Sequence, residues 1–313
     1  MGGMSASATP DSAGFRRNVF LDGEHPDVIA ADVLGRPRPT GRIVAVANEK
    51  GGVGKSTLAF HLCVALADAG LKVAAIDLDR RQQTLSQAMQ NREASARRLE
   101  AELPAMRHML VQVHSGAMLC QELCRIGQHA DVLVIDVPGY DSPIARRAIA
   151  LADTLLTPVN GAFLDLTLLG RFDPVSLALV GDGCFAVAVR ELRQARLRRG
   201  AKDTDWLVVP NRIGRNSGAD GRKVKAALAA LAGRGGFRLG RDIAERAAFR
   251  DLFFLGLTHL DIRCISQLGQ ANAQAIKEIQ TLVADISPGV QALATEPQPE
   301  TPLDLSPCRH SVP

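Results

Sequence analysis

The sequence predicts an α/β fold, a mostly parallel sheet with helices on both faces. Three observations predict it. From residue 42 onward, short apolar runs of strand length alternate with longer stretches of helical periodicity. The glycine-rich stretch 48–57, N-E-K-G-G-V-G-K-S-T, lies between one such strand and one such helix. The composition is 46% hydrophobic with only 4% aromatic, which favours a core of Ala, Leu and Val and disfavours single-strand recognition by base stacking.

Residues 1–40 mix Gly, Ser, Pro and charge without sustained periodicity, and read as a disordered N-terminal extension. Their apolar cluster, F-R-R-N-V-F at 15–20, is a partner-binding peptide or a loosely docked arm. The domain follows at 41–287. Residues 43–47 read as a buried strand, the stretch from 58 as a helix, and 72–77 as a second buried strand. Residues 82–99 are polar and helical, 110–114 read as a strand and 118–126 as a helix. D-V-L-V-I-D at 131–136 is a central strand, 145–152 a helix, 154–159 a strand. A helix is expected at 187–200, a strand at 205–211, and helices at 223–232 and 267–286. The tail 288–313 carries Pro297, Pro299, Pro302 and Pro307 and is expected to be disordered. Ligands of such a sheet sit at the carboxyl ends of its strands.

The stretch 48–57 carries the chemistry. Glycines let backbone N–H groups curl around an anion, so Gly51, Gly52, Val53, Gly54, Lys55, Ser56 and Thr57 form a phosphate cradle ahead of a helix N-terminus. Lys55 reaches the β- and γ-phosphates and the Ser56 hydroxyl ligates Mg²⁺. The strand ending in Asp136 has the Walker B form, whose carboxylate supports the metal. Gly139, just beyond, offers a backbone N–H to the γ-phosphate. Asp77 and Asp79 close the second strand with both carboxylates on one side; Asp77 supports Mg²⁺ or the loop.

A second lysine narrows this reading. Lys50, five residues before Lys55, gives K-G-G-V-G-K-S-T, which resembles the deviant Walker A family of ParA, MinD and the nitrogenase iron protein, within the P-loop NTPases. The resemblance implies that Lys50 reaches across a dimer to the partner's nucleotide and that Asp79 orients the attacking water. No guanine-reading N-K-x-D occurs, and Pro210-Asn211-Arg212 resembles the adenine-contacting segment of ParA-like ATPases, so ATP is the expected nucleotide. Asn211 and Arg212 read equally as a turn and a surface cation.

Between residues 42 and 261 the chain is similar to the MipZ family. The matching segments include I-D-L-D-R-R-Q-Q-T, A-D-T-L-L-T-P-V-N, L-G-R-F-D-P-V, D-W-L-V-V-P-N-R and F-R-D-L-F-F-L-G-L-T. Val137 departs from it by replacing the usual Thr before Pro-Gly, which loses a hydroxyl beside the metal. The resemblance implies slow ATP hydrolysis, an ATP-bound homodimer, binding to DNA without sequence preference, inhibition of the division GTPase FtsZ and recruitment by the centromere-binding protein ParB. It also implies a cytoplasmic, nucleoid-associated protein enriched at the poles.

Net charge is +4, which permits nucleic-acid contact. Arg190, Arg193, Arg196, Arg198 and Arg199 crowd the helix at 187–200, as a DNA footprint or as a solvated face. No apolar run approaches the ~18 residues of a membrane span, and the tail lacks a basic amphipathic helix, so no membrane association is expected. The six cysteines are scattered and read as reduced thiols. Two alternatives of other kinds stand beside the division-site switch. One is a ParA-like partitioning ATPase. The other is an iron-protein-like cluster carrier or reductase, which needs cysteines gathered at the dimer axis.

Overall fold

The computed structural model describes residues 24–214 and 218–286. Its elements follow in chain order. They are α1 (Pro26–Leu34), β1 (Arg42–Val46), α2 (Lys55–Asp68), β2 (Val73–Asp77), α3 (Thr84–Arg98), β3 (Arg107–Leu110), α4 (Gly116–Ile126), β4 (Val132–Asp136), α5 (Pro143–Leu151) and β5 (Thr154–Asn160). After a 3₁₀ turn, Phe163–Leu168, come β6 (Gly170–Phe172), β7 (Leu179–Asp182), α6 (Cys184–Arg198), β8 (Asp205–Asn211), α7 (Gly218–Gly235), β9 (Arg238–Leu239), α8 (Ala248–Asp251) and α9 (Ala273–Ile286).

Seven strands form one sheet in the order β3-β2-β4-β1-β5-β8-β9, with every pair parallel. Each strand between two others is apolar on both sides because helices cover both faces. Along β1, Ile43 and Ala45 join one core while Val44 and Val46 join the other. The first core packs under α1, α4, α5, α6 and α7; the second packs under α2, α3 and α9. β1 lies between β4 and β5, so the glycine-rich loop that follows it opens where the strand order reverses.

The structure corrects several expectations. Residues 26–34, expected within the disordered extension, form α1, which starts on a proline and packs on α4, α5 and α6. Arg147 ties it down by pairing with Glu24 and Asp32. β3 lies at Arg107–Leu110, upstream of the expected 110–114. The antiparallel hairpin β6–β7 was not anticipated. The last helix begins at Ala273 and is preceded by a 3₁₀ turn at Ser266–Leu268. The expectations for residues 1–23 and for the tail 288–313 fall outside the described residues.

Candidate active site

The loop 48–57 leaves β1 at the carboxyl edge of the sheet. Asn48 braces it, donating its side chain to the Pro158 carbonyl (2.8 Å) and accepting the Lys50 N–H (3.0 Å). Gly52 (φ 78°) and Gly54 (φ 89°) take left-handed backbone that side chains resist, and Gly54 is the N-cap of α2. The first turn of α2 therefore points free N–H groups into the loop. Lys55 folds back and donates to the Lys50 carbonyl at 2.9 Å. Burial lowers its pKa, opposed by Asp136 and Asp79. A Cβ on Gly139 would stand 2.8 Å from the Lys55 amine, so the 136–139 turn lies against the loop lysine.

Asp136 ends β4 in register with Asp77 on β2 and Val46 on β1. Both its oxygens are buried and lack a hydrogen-bond partner. Burial pushes its carboxyl up to about 8, against the pull of Ser56 and Lys55. A buried carboxylate with two orphaned oxygens beside a loop hydroxyl fits a divalent cation. Ser56 and Asp136 are the side chains that would hold Mg²⁺. No group of three or more His, Cys, Asp or Glu among the described residues is placed to hold a metal ion, and a phosphate-bound Mg²⁺ takes its remaining ligands from phosphate and water.

The two aspartates that close β2 do different work. Asp77 spends one oxygen on the Asp79 N–H and the other on the Ser86 N–H, each at 2.9 Å. It braces the turn after β2 and the start of α3. Burial raises its pKa. Asp79 accepts the Arg81 and Gln82 N–H groups through one oxygen (3.1 and 3.0 Å). Asp79 thus fixes the turn ahead of α3, and Asp77 caps the helix through Ser86, since the helix's own N-cap, Gln83, makes no side-chain cap bond.

Asn211 and Arg212 meet the loop. Asn211 donates to the Val53 carbonyl and Arg212 to the Gly52 carbonyl, both at 2.8 Å. They border a cleft lined by Gly54, Thr57, His61, Ile243, Glu245 and Phe249. The 243–245 segment joins this cleft through backbone bonds to Pro210 and Ile213. His61 is buried, held neutral by that burial with a pKa of about 4, and bonds the Thr57 carbonyl at 2.8 Å. Neither His61 nor 243–248 was singled out in the sequence.

Lys50 does not turn into its own loop. Its amine pairs with Asp165 on the 3₁₀ turn after β5, a partner for which the sequence carries no signal. The neighbouring Glu49 has its carboxyl raised to about 7, by burial and then by Asp141, with Cys184 at 3.9 Å.

The proposed DNA footprint on α6 needs correction. Arg196 is 1% exposed and donates to the Ala150 and Lys202 carbonyls, so it cannot touch DNA. Arg193 pairs with Asp203 and donates to the Gly236 carbonyl, and Arg190 pairs with Asp182. Arg198 pairs with Asp27 while half exposed, and Arg199 donates to the Asp27 carbonyl. The five described cysteines are free; Cys120 and Cys124 lie on α4 against the Val33 and Pro37 carbonyls. No helix among the described residues is long and apolar enough to cross a membrane.

Comparison with known proteins places this site in context. The profile of the family described as ATPase MipZ matches residues 42–288. The chromosome-partitioning ATPase Soj of Thermus thermophilus is 28% identical over 206 residues, covering 55% of this chain and 82% of Soj. Protein ParA of Rhizobium radiobacter is 32% identical over 129 residues, covering 40% of this chain and 52% of ParA. Among solved structures, the ATP complex of a point variant of Cyanothece McdA aligns with a TM-score of 0.55 at 19% identity, over 80% of this chain and 98% of that one. The MinC:MinD cell division protein complex of Aquifex aeolicus aligns with a TM-score of 0.50 at 18% identity, over 79% of this chain and 97% of the matched one.

Proposed function

The chain belongs to the MipZ family of ATPases, and from that premise we propose that it is an ATP-driven dimerisation switch that places the cell-division site by restraining FtsZ. The observation that carries the proposal is Lys50, a second loop lysine that its own phosphate cradle does not use and that Asp165 holds to one side. In the ATP-bound form it leaves Asp165 and reaches the nucleotide of a second copy. Lys55 and the loop N–H groups hold the β- and γ-phosphates, and Gly139 adds an N–H at the γ-phosphate. Ser56 and Asp136 would hold Mg²⁺, which would supply neutralisation of phosphate charge. Asp79 orients the attacking water, and its capping bonds to Arg81 and Gln82 keep the carboxylate in place. Asn211 and Arg212 border the cleft that takes the adenine.

Dimer and monomer then present different surfaces: the dimer to FtsZ and to DNA without sequence preference, the monomer to a ParB-like protein. Enrichment at the poles of a nucleoid-associated protein follows from that partition. Asp79→Ala should bind ATP, dimerise and lose turnover; Lys50→Ala should bind ATP and stay monomeric. Sizing with ADP against a non-hydrolysable ATP analogue, then FtsZ polymer sedimentation with each form, tests this. FtsZ polymers indifferent to the ATP-bound dimer would refute the division role. The similarity to Soj and ParA favours a second reading, a cargo-partitioning ATPase, which that result would leave standing.

A further inference from the structure

We propose that the β6–β7 hairpin, together with Leu164 at its root, is an arm by which one copy of this chain grips a second in the ATP-bound state. The proposal rests on the dimerisation reading above and names an interface for it.

The hairpin displays apolar side chains to solvent. Val175 is 92% exposed, Val180 57% and Leu177 38%, and Leu164 on the preceding 3₁₀ turn is 71% exposed. Three large apolar side chains this exposed on one short hairpin, with a fourth on the turn before it, are a concentration that interaction sites favour. The patch is also rigidly built. Asp173 accepts the Val175 and Ser176 N–H groups (3.1 and 2.7 Å) and the Ser176 hydroxyl (2.8 Å), which fixes the tip. Leu177 sits at φ 56°, a left-handed conformation that costs a leucine about 1 kcal/mol and that a loop free of other demands gives to glycine. At the root, Phe163 and Phe172 meet edge to face at 4.7 Å, and a Cβ on Gly183 would stand 2.2 Å from the Leu168 carbonyl oxygen.

Charge and position identify the occupant. The hairpin carries Asp173 and Asp182 against Arg171, and its tip at 174–178, P-V-S-L-A, is uncharged, so it suits a protein surface and not DNA. Its root straddles the loop. Asp165, one residue past Leu164, holds Lys50, and Cys184, two residues past β7, lies 3.9 Å from Glu49. The root of the hairpin therefore lies beside the face from which Lys50 would cross. A twofold interface brings the same patch in twice, so apolar side chains beside that face are buried by both copies at once.

The test pairs Val175→Asp/Val180→Asp with Leu177→Gly, which removes an apolar group while relieving the backbone. Both are surface changes, and circular dichroism should match the parent. Sedimentation with a non-hydrolysable ATP analogue should show dimerisation weakened by about tenfold or more in the double variant and measurably weakened in Leu177→Gly. Binding of a fluorescent ATP analogue at low protein concentration should be unchanged. Parent-like dimerisation by both variants would overturn the arm while leaving the switch intact. A parent chain that stays monomeric with the analogue would overturn the switch itself, and the arm with it.

Discussion

Lys50 is held within its own chain by a carboxylate that is 6% exposed, so crossing to another copy means first breaking that pair. The pair is a competitor of dimerisation, worth about 1 kcal/mol for a lysine that remains part-exposed. Asp165→Asn, which keeps the shape and removes the charge, should tighten ATP-analogue dimerisation roughly fivefold by sedimentation. Equal affinities would show that the pair restrains nothing. Glu49 offers a second residue-level test. Its carboxyl, raised to about 7 by burial and by Asp141, is protonated in the folded chain at pH values where the unfolded chain ionises it. The folded state then binds more protons, so stability falls as pH rises from the ordinary glutamate range to about 7 and stays reduced above it. Glu49→Gln should raise the melting temperature at pH ~8 by on the order of a few degrees, with the gain vanishing near pH ~4.5. A gain that does not vary with pH would assign the effect to packing. At this scale the phosphate cradle was legible because its chemistry depends on near-neighbours in sequence. Asp165 was not, because it lies 115 residues from its lysine and nothing local marks it.

At the scale of elements, strands buried on both faces show as continuous apolar runs, which is why β1, β2, β4, β5 and β8 were read within a residue or two. β3 is half-buried and short, and β6 and β7 are too short to show alternation. α1 was missed because its anchors, Arg147 and Arg198, come from remote helices. α3 is fixed in a comparable way. Arg92, buried on α3, makes two 2.8 Å bonds to Asp261, which also accepts the Thr258 N–H at 2.7 Å. Gly256 packs so closely on α3 that a Cβ would stand 2.1 Å from the Arg92 nitrogen. Since α3 starts from the Asp77 cap, this clamp sets where the 79–83 turn ahead of it can lie. Asp261→Ala strands a buried guanidinium and should cost about 3 kcal/mol in urea unfolding. A loss below about 1 kcal/mol would mean that the segment 252–265 repacks around Arg92.

Taken whole, the molecule separates its phosphate loop from a second, charged edge. The loop lies at the carboxyl ends of the strands, while Arg38, Arg42, Arg199 and Lys202 line an open cleft at the amino ends together with Asp131, Asp153, Asp203 and Asp205. The arginines at the end of α6 lie near that edge, but they are not equivalent. Arg196 is a buried structural cation whose loss leaves the Ala150 and Lys202 carbonyls without their donor, so Arg196→Ala should lower stability by about 2 kcal/mol. Arg198 and Arg199 keep their guanidinium groups at the surface, tied to Asp27. Each phosphate a protein neutralises contributes about 0.9 to the slope of log affinity against log salt. If the ATP-bound dimer rests this edge on DNA, Arg198→Ala with Arg199→Ala should flatten the slope by roughly 2 per protomer. The melting temperature should stay near that of the parent, because both side chains lie at the surface. Fluorescence anisotropy on a random duplex across a salt series reads the slope directly. A parent-like slope in the double variant would move the footprint off α6, to cations such as Arg80 and Arg81 that flank the switch aspartate, and the ATP dependence would then follow from the switch segment itself rather than from doubling a basic edge.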